Sequence, residues 1–241
     1  MISNFFHTFF YEPLYNGLII IFNLFPSIDA GFAVIVLTLV VKVILFPLSI
    51  KATKSQMEMK SIENDLNIIK NKYKNNKKKK KKKIVELYKE KEINPFSGIF
   101  VILIQLPIII TLYRVFISSG LPDISSDILY SFVHIPDFIN MNFLGLIDIR
   151  NKSVVLAVFS GLTSFLQAKY AQSASNDESQ KQSDFLKALN LQMKFGFPVL
   201  MFIISLSLSS AVALYFITSN VFTIFQEIYL KHKVRKVIPV N

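Results

Sequence analysis

Along the chain, long apolar runs alternate with short polar or strongly charged ones, and the apolar runs are too long for strands. A helix that crosses a bilayer takes roughly 17–25 mainly apolar residues at about 1.5 Å rise each. Gly31–Ile50 (GFAVIVLTLVVKVILFPLSI) meets that requirement, with Pro47 near its end. So does Phe96–Phe116 (FSGIFVILIQLPIIITLYRVF), bent by Pro107 in its interior. Val154–Tyr170 is a shorter run. Phe195–Leu230 is too long for one helix, and its most polar stretch, LSLSSAV at 206–212, predicts two short spans meeting near Ser209. Pro13–Phe25 (PLYNGLIIIFNLF) is short and is followed by Pro26, which suits a helix lying in the membrane interface; an additional crossing is the alternative.

The placement of charge orients these segments. Residues 51–93 hold 15 lysines, and the tail 231–241 holds Lys231, Lys233, Arg235 and Lys236 with no acid. The segment 119–150 has Asp123, Asp127, Asp137 and Asp148 against Arg150 alone, and residues 1–41 contain no Lys or Arg. The positive-inside rule then puts the first loop and the C-terminus in the cytosol. Five spans satisfy that assignment and four or six do not. The expected organisation is an extracytoplasmic N-terminus with an interfacial helix (1–30), span one (31–50), a cytosolic hairpin (51–94) and span two (95–118). An extracytoplasmic segment (119–151), span three (152–170), a cytosolic loop (171–194), spans four and five (195–230) and a basic tail (231–241) follow. The N-terminus lacks the basic region of a cleavable signal, since its first Lys or Arg is Lys42.

The first cytosolic loop carries its own helical pattern. Met57, Met59, Ile62, Leu66, Ile69 and Tyr73 recur at mostly helical intervals over Ala52–Lys74. Asn75-Asn76 marks a turn, and Ile84, Val85, Leu87 and Tyr88 mark a second helix running to Ile93. Two antiparallel amphipathic helices are predicted. The seven-lysine run Lys77–Lys83 follows the turn, with Lys77, Lys80 and Lys83 as its candidate contact residues and Tyr88 behind them. It reads as a solvated charge run, or as an attractor of anionic lipid headgroups or ribosomal RNA through screened electrostatics.

Composition removes most soluble-enzyme chemistry. With no cysteine there are no disulfides, thiolate nucleophiles or cysteine-ligated metals. His7, His134 and His232 stand in no ligand spacing, and seven glycines form no phosphate loop. No metal, no cofactor and no enzymatic activity are expected.

The feature that remains is Lys42, the twelfth residue of the twenty-residue run Gly31–Ile50. A cation there costs about 2.5–3.5 kcal/mol on insertion scales and is a functional hypothesis by default. No span holds a central acid, and the nearest, Glu227, lies near the cytosolic end of the last. Hydroxyls and amides are instead arranged in stripes: Thr38, Lys42 and Ser49 on span one, and Ser160, Thr163, Ser164 and Gln167 on span three. Span four adds Ser205 and Ser209, and span five adds Tyr215, Ser219 and Gln226 with Thr218 and Asn220 nearby; Gln105 sits beside Pro107 in span two. The stripes describe either the lining of a hydrated groove or polar contacts that hold helices together.

Several of these strings occur together in one family. Ile35–Ile50, containing VLTLVVKVILFPLSI, then Lys51 and a Met-containing helix, resembles the first core span of the YidC/Oxa/Alb membrane protein insertases. Leu87-Tyr88-Lys89-Glu90, Ile93-Asn94-Pro95, Leu103-Ile104-Gln105-Leu106-Pro107-Ile108 and Leu112-Tyr113-Arg114 are similar to that family's most distinctive stretch. Ala213–Asn220 (ALYFITSN) resembles its last span, so the likeness runs over roughly residues 10–235 in order. It implies five helices around a hydrophilic groove open to cytosol and lipid, an external amphipathic helix at Pro13–Phe25 and a cytosolic helical hairpin. It further implies insertion of nascent membrane proteins, alone or with the Sec translocon, in a bacterial cell membrane, with ribosomes and anionic lipids as further partners. Specific nucleic-acid binding is not implied. The family's usual intramembrane cation is arginine, and the matching position here is Lys42; the large extracytoplasmic domain and long basic tail of some members have no counterpart. The residues leave open two other readings: a small ion or solute transporter with Lys42 as its anion site, and a purely structural subunit.

Overall fold

A computed structural model describes residues 5–93, 97–118, 121–172 and 195–237. The described chain is mostly helical. A π-turn at His7–Tyr11 leads into α1 (Glu12–Leu24), followed by α2 (Ala30–Ile44), α3 (Phe46–Ser61), α4 (Glu63–Lys72), α5 (Lys77–Glu90) and α6 (Ser97–Tyr113). A two-stranded hairpin, β1 (Asn142–Phe143) and β2 (Ile147–Asp148), precedes α7 (Val154–Gln172), α8 (Phe197–Ser207) and α9 (Ser210–Val237). The chain divides into two compact units, Met1–Ile44 with Gln105–Asn241, and Leu45–Ile104. Within α9, Ser210–Leu230 is long and apolar enough to cross a membrane by itself; Gln105–Phe116, Val154–Tyr170 and Phe197–Ser207 are shorter apolar helices.

The first predicted span differs most from expectation. The apolar run to Ile50 is not one helix: α2 stops at Ile44, Leu45 is a turn, and α3 begins at Phe46. Pro47 explains the break, because it has no N–H to donate to the carbonyl of Val43 and its ring crowds that carbonyl. Ser49 therefore lies on α3 and not on the helix that bears Thr38 and Lys42. Two other boundaries also move. Helical backbone begins at Phe5, well before Pro13, and α9 continues through the basic residues to Val237. Of the predicted cytosolic loop 171–194, the first two residues continue α7 to Gln172 and 173–194 lie outside the described residues, as do Asn94 and Pro95.

In the first unit α2 packs on α1 and α9, and α7 packs on α8 and α9. The irregular segment after α6 ties these helices together through their orphan backbone groups. Asp29 caps α2: its Oδ1 accepts the N–H of Phe32 at 2.9 Å, and its Oδ2 accepts the N–H of Leu144 at 3.1 Å. Ala30 donates to the Asn140 carbonyl at 2.8 Å. The Phe143 ring lies directly over Gly31, where any Cβ would overlap it. At the start of α9, the Ser210 N–H and hydroxyl both donate to the Asn151 carbonyl (2.8 and 2.7 Å), and Ala211 donates to that of Ile149 at 3.0 Å.

The same segment is bonded to α1. The Asn16 amide, fully buried, donates to the carbonyls of Glu12 (2.8 Å) and Ile128 (2.9 Å), and its oxygen accepts the Tyr130 N–H at 2.7 Å. Tyr15 accepts the Ser125 N–H through its hydroxyl at 3.0 Å, and Asn23 donates to the His134 carbonyl at 2.6 Å. Tyr15, Leu18, Ile19, Leu121 and Ile149 are buried with these bonds. The Arg114 guanidinium lies 5.4 Å from the Phe6 ring centroid.

The second unit contains the hairpin. Ile62, Leu66, Leu87 and Ile93 form its core, with Ile69, Ile84 and Tyr88 packed against them. Its first arm is two helices, α3 and α4, parted at Ile62. Asn76 caps α5 by accepting the Lys79 N–H at 3.0 Å. The side chains of Met57 and Met59 lie outside the described residues.

Candidate functional site

Lys42 stands in the last turn of α2, half-buried beside α9. Its ammonium donates to the Thr223 hydroxyl at 3.3 Å, and Thr223 donates in turn to the Ser219 backbone carbonyl at 2.8 Å. A cation taken out of water needs such dipoles around it. Ser219 is buried, and the buried Tyr215 hydroxyl one turn earlier lies within reach of Ser219 and of Gln105 on α6. That hydroxyl makes no well-formed hydrogen bond among the described residues. Lys42, Thr223, Ser219, Tyr215 and Gln105 thus form one polar track along α9, which Gln226 and Glu227, both buried, prolong by a further turn.

The other predicted stripes make their hydrogen bonds within or between helices. Thr38, one turn before Lys42, is buried and spends its hydroxyl on the Val34 carbonyl of its own helix at 2.6 Å. Ser160 accepts from Ser205 at 2.8 Å, which joins α7 to α8. Ser164 and Thr163 accept from Asn220 at 2.8 and 3.2 Å, which joins α7 to α9. The bonds of Ser160 and Ser164 are short and buried and that of Thr163 is part-buried, all between packed helices, the arrangement in which hydroxyls hold membrane helices together. Gln167 is half-buried one turn beyond Ser164. Ser49 lies on α3 in the second unit and does not share a helix with Lys42.

On the hairpin, six of the seven lysines at 77–83 are exposed and Lys80 is half-buried, on the side of α5 that carries Ile84, Leu87 and Tyr88. Lys77 is exposed at the first position of α5. Lys83 pairs with Glu86 at 2.6 Å, which draws the Glu86 carboxyl below its ordinary range. Lys79 sits 5.6 Å from the Tyr73 ring centroid.

Thr223 is the residue the sequence reading missed. Its signal was present: it follows Ser219 by four residues and extends the face that begins at Tyr215. Asn16 and Asp29 carry only their local bonds in the sequence, to Glu12 and Phe32; their other partners are more than 100 residues away in the chain.

Apolar helices packed on one another, with a lysine of one met by a hydroxyl of its neighbour, are the pattern of an α-helical membrane protein. Comparison with known proteins gives its family. The family model described as 60Kd inner membrane protein matches residues 21–237. A protein of Fusobacterium nucleatum is 32% identical over 203 residues, which cover 84% of this chain and 86% of that protein. One from Clostridium tetani is 30% identical, over 86% of this chain and 83% of that protein, and one from Clostridium acetobutylicum is 32% identical, over 86% and 76%. All three bear the name membrane protein insertase YidC. This chain belongs to the 60Kd inner membrane protein family, the YidC/Oxa family.

Proposed function

We propose that this protein inserts small membrane proteins into a bacterial cell membrane and helps them fold, alone or beside the Sec translocon. Its five spans would carry the N-terminus outside and the C-terminus in the cytoplasm. The observation that supports this reading is Lys42, a cation in an apolar helix whose ammonium is met by Thr223 and lies on a track of buried polar groups along α9. The relatives' name gives that track a task. An acidic or polar N-terminal segment of a nascent protein enters a groove from the cytosol, where Lys42 attracts it and Thr223, Ser219, Tyr215 and Gln105 solvate it. Its apolar helix then moves into lipid, and the loss of water-exposed apolar surface drives the step. The hairpin, with Lys77, Lys80 and Lys83 on α5 and Tyr88 in its core, receives the substrate or docks ribosomes and anionic lipids. No bound cofactor and no covalent step enter this scheme.

The test is reconstitution of the full chain in proteoliposomes with a single-span substrate, scored by protease protection of its translocated end. Protein-dependent insertion is expected. Equal insertion into empty and protein-containing vesicles refutes the proposal.

A further inference from the structure

The turn between β1 and β2 departs from ordinary turn chemistry. Leu144 and Gly145 both have left-handed backbone, at φ 55 and 70. Glycine takes that conformation freely, whereas a leucine's Cβ crowds the backbone there. Hairpin tips commonly place Asn, Asp or Gly at such positions, because these residues tolerate the positive φ. Here the strained position is a leucine that is 59% exposed, and Leu146 on the other side of Gly145 is 85% exposed. Two exposed leucines on one short tip, beside the exposed Phe32, point to an environment that is not water.

The rest of the fold fixes where the tip lies. Asp29, which caps α2, holds the Leu144 N–H. Phe143 covers Gly31 and lies 5.4 Å from the Phe32 ring, and Phe32 is an exposed side chain in the first turn of α2. The tip therefore sits beside the end of a helix that, on the five-span reading, enters the bilayer from outside. Residues 140–147 contain no Lys, Arg, Asp or Glu. The two charges that flank them are committed elsewhere: Asp29 accepts two backbone N–H groups, and Asp148 pairs with Arg150 at 2.6 Å. Attraction to charged headgroups is thus not what this surface offers; apolar contact is.

We propose that the Leu144-Gly145-Leu146 tip inserts its leucines at the headgroup–acyl boundary of the outer leaflet and holds the start of α2 at the membrane surface. The proposal rests on the membrane orientation given under the proposed function. Its partner is uncharged lipid, so phosphatidylcholine alone suffices.

The absence of cysteine makes single labelling sites clean. Leu146→Cys carries an environment-sensitive fluorophore in the full chain reconstituted into phosphatidylcholine vesicles with no other protein. Ser126→Cys, in the exposed turn at 126–128, and Phe159→Cys, on the exposed face of α7, are the controls. Lipids spin-labelled near the headgroup should quench the Leu146 and Phe159 probes, and aqueous iodide should quench the Ser126 probe about five-fold more efficiently than the Leu146 probe. Iodide quenching equal at Leu146 and Ser126, with Phe159 still quenched by lipid, overturns the tip proposal and leaves the membrane reading standing. Iodide quenching at Phe159 as well overturns both. Shielding of Leu146 from iodide and lipid alike identifies a protein contact, which also refutes the proposal.

Discussion

Replacing Lys42 by leucine separates a working charge from a structural one, because the two roles move stability and activity differently. Leucine retains the apolar stem and removes the ammonium. A cation at the centre of a span costs about 2.5–3.5 kcal/mol. Lys42 stands half-buried toward a helix end, where the cost falls to about 2 kcal/mol. Its hydrogen bond to Thr223 is long, at 3.3 Å, and reaches a neutral hydroxyl, so losing it forfeits about 1 kcal/mol. Thr223 keeps its own bond to the Ser219 carbonyl and is not left without a partner. Lys42→Leu should therefore stabilise the fold by about 1 kcal/mol, roughly a five-fold shift in the folding equilibrium. A site that gives up stability to hold a charge is a trade of stability for activity. The same variant should insert substrates with acidic translocated segments poorly. Detergent-resolved unfolding in SDS titrations, run beside the proteoliposome insertion assay, reads both quantities. Parental insertion of acidic substrates by Lys42→Leu refutes the functional charge and supports a structural subunit. Destabilisation by more than about 1 kcal/mol refutes the energetic reasoning, since it would mean that the charge contributes more to the fold than an apolar side chain does.

Four further outcomes follow from the same structure. Lys42→Arg should preserve insertion, because guanidinium keeps its charge and can still reach Thr223, while Lys42→Ala should impair acidic substrates most, read in the same assay. Asn16→Ala strands the Tyr130 N–H and the Ile128 carbonyl, bonded now at 2.7 and 2.9 Å; at about 1–3 kcal/mol for each, partly relieved by water, it should cost about 2–3 kcal/mol. Faster hydrogen exchange at the Tyr130 amide checks that. Gly31→Val places two methyls where the Phe143 ring sits and should destabilise by about 1–3 kcal/mol, with Phe143→Ala restoring part of the loss in a double-mutant cycle. Arg150 holds the Asp148 carboxyl below its usual range, through a hydrogen bond first. That lowered pKa stabilises the fold above the unfolded carboxylate pKa of about 4, and the contribution disappears as pH falls through the lower folded value. Asp148→Asn should flatten the acid limb of the stability profile by less than about 1 kcal/mol, because Arg150 is nearly half exposed.

Much of the fold was legible because helices are local. The apolar period and the polar stretch LSLSSAV indicate the two helices that are parted at Leu208–Ser209, and Asn76 with the leucine and isoleucine spacing indicates the hairpin. Pro47 is equally visible, but its effect falls upstream of itself: the helix breaks at Leu45, between the proline and the Val43 carbonyl that its missing N–H leaves without a donor. Family membership was legible for a similar reason, since the strings that carry it are contiguous in the chain.

By itself, then, the sequence determined the helical character of the chain, the isolation of Lys42 in an apolar run and the family, all properties of neighbours in the chain. Tertiary structure decided what each polar residue touches. Thr38 turns back on its own helix, Ser160 and Ser164 bond to neighbouring helices, and Thr223, one turn further along the face of Tyr215 and Ser219, meets the lysine. It also made Asp29 a joint between a helix and a hairpin more than 100 residues away. The physical reason is that a helical face is set by spacing every three to four residues, while the partner of that face is set by packing between distant segments.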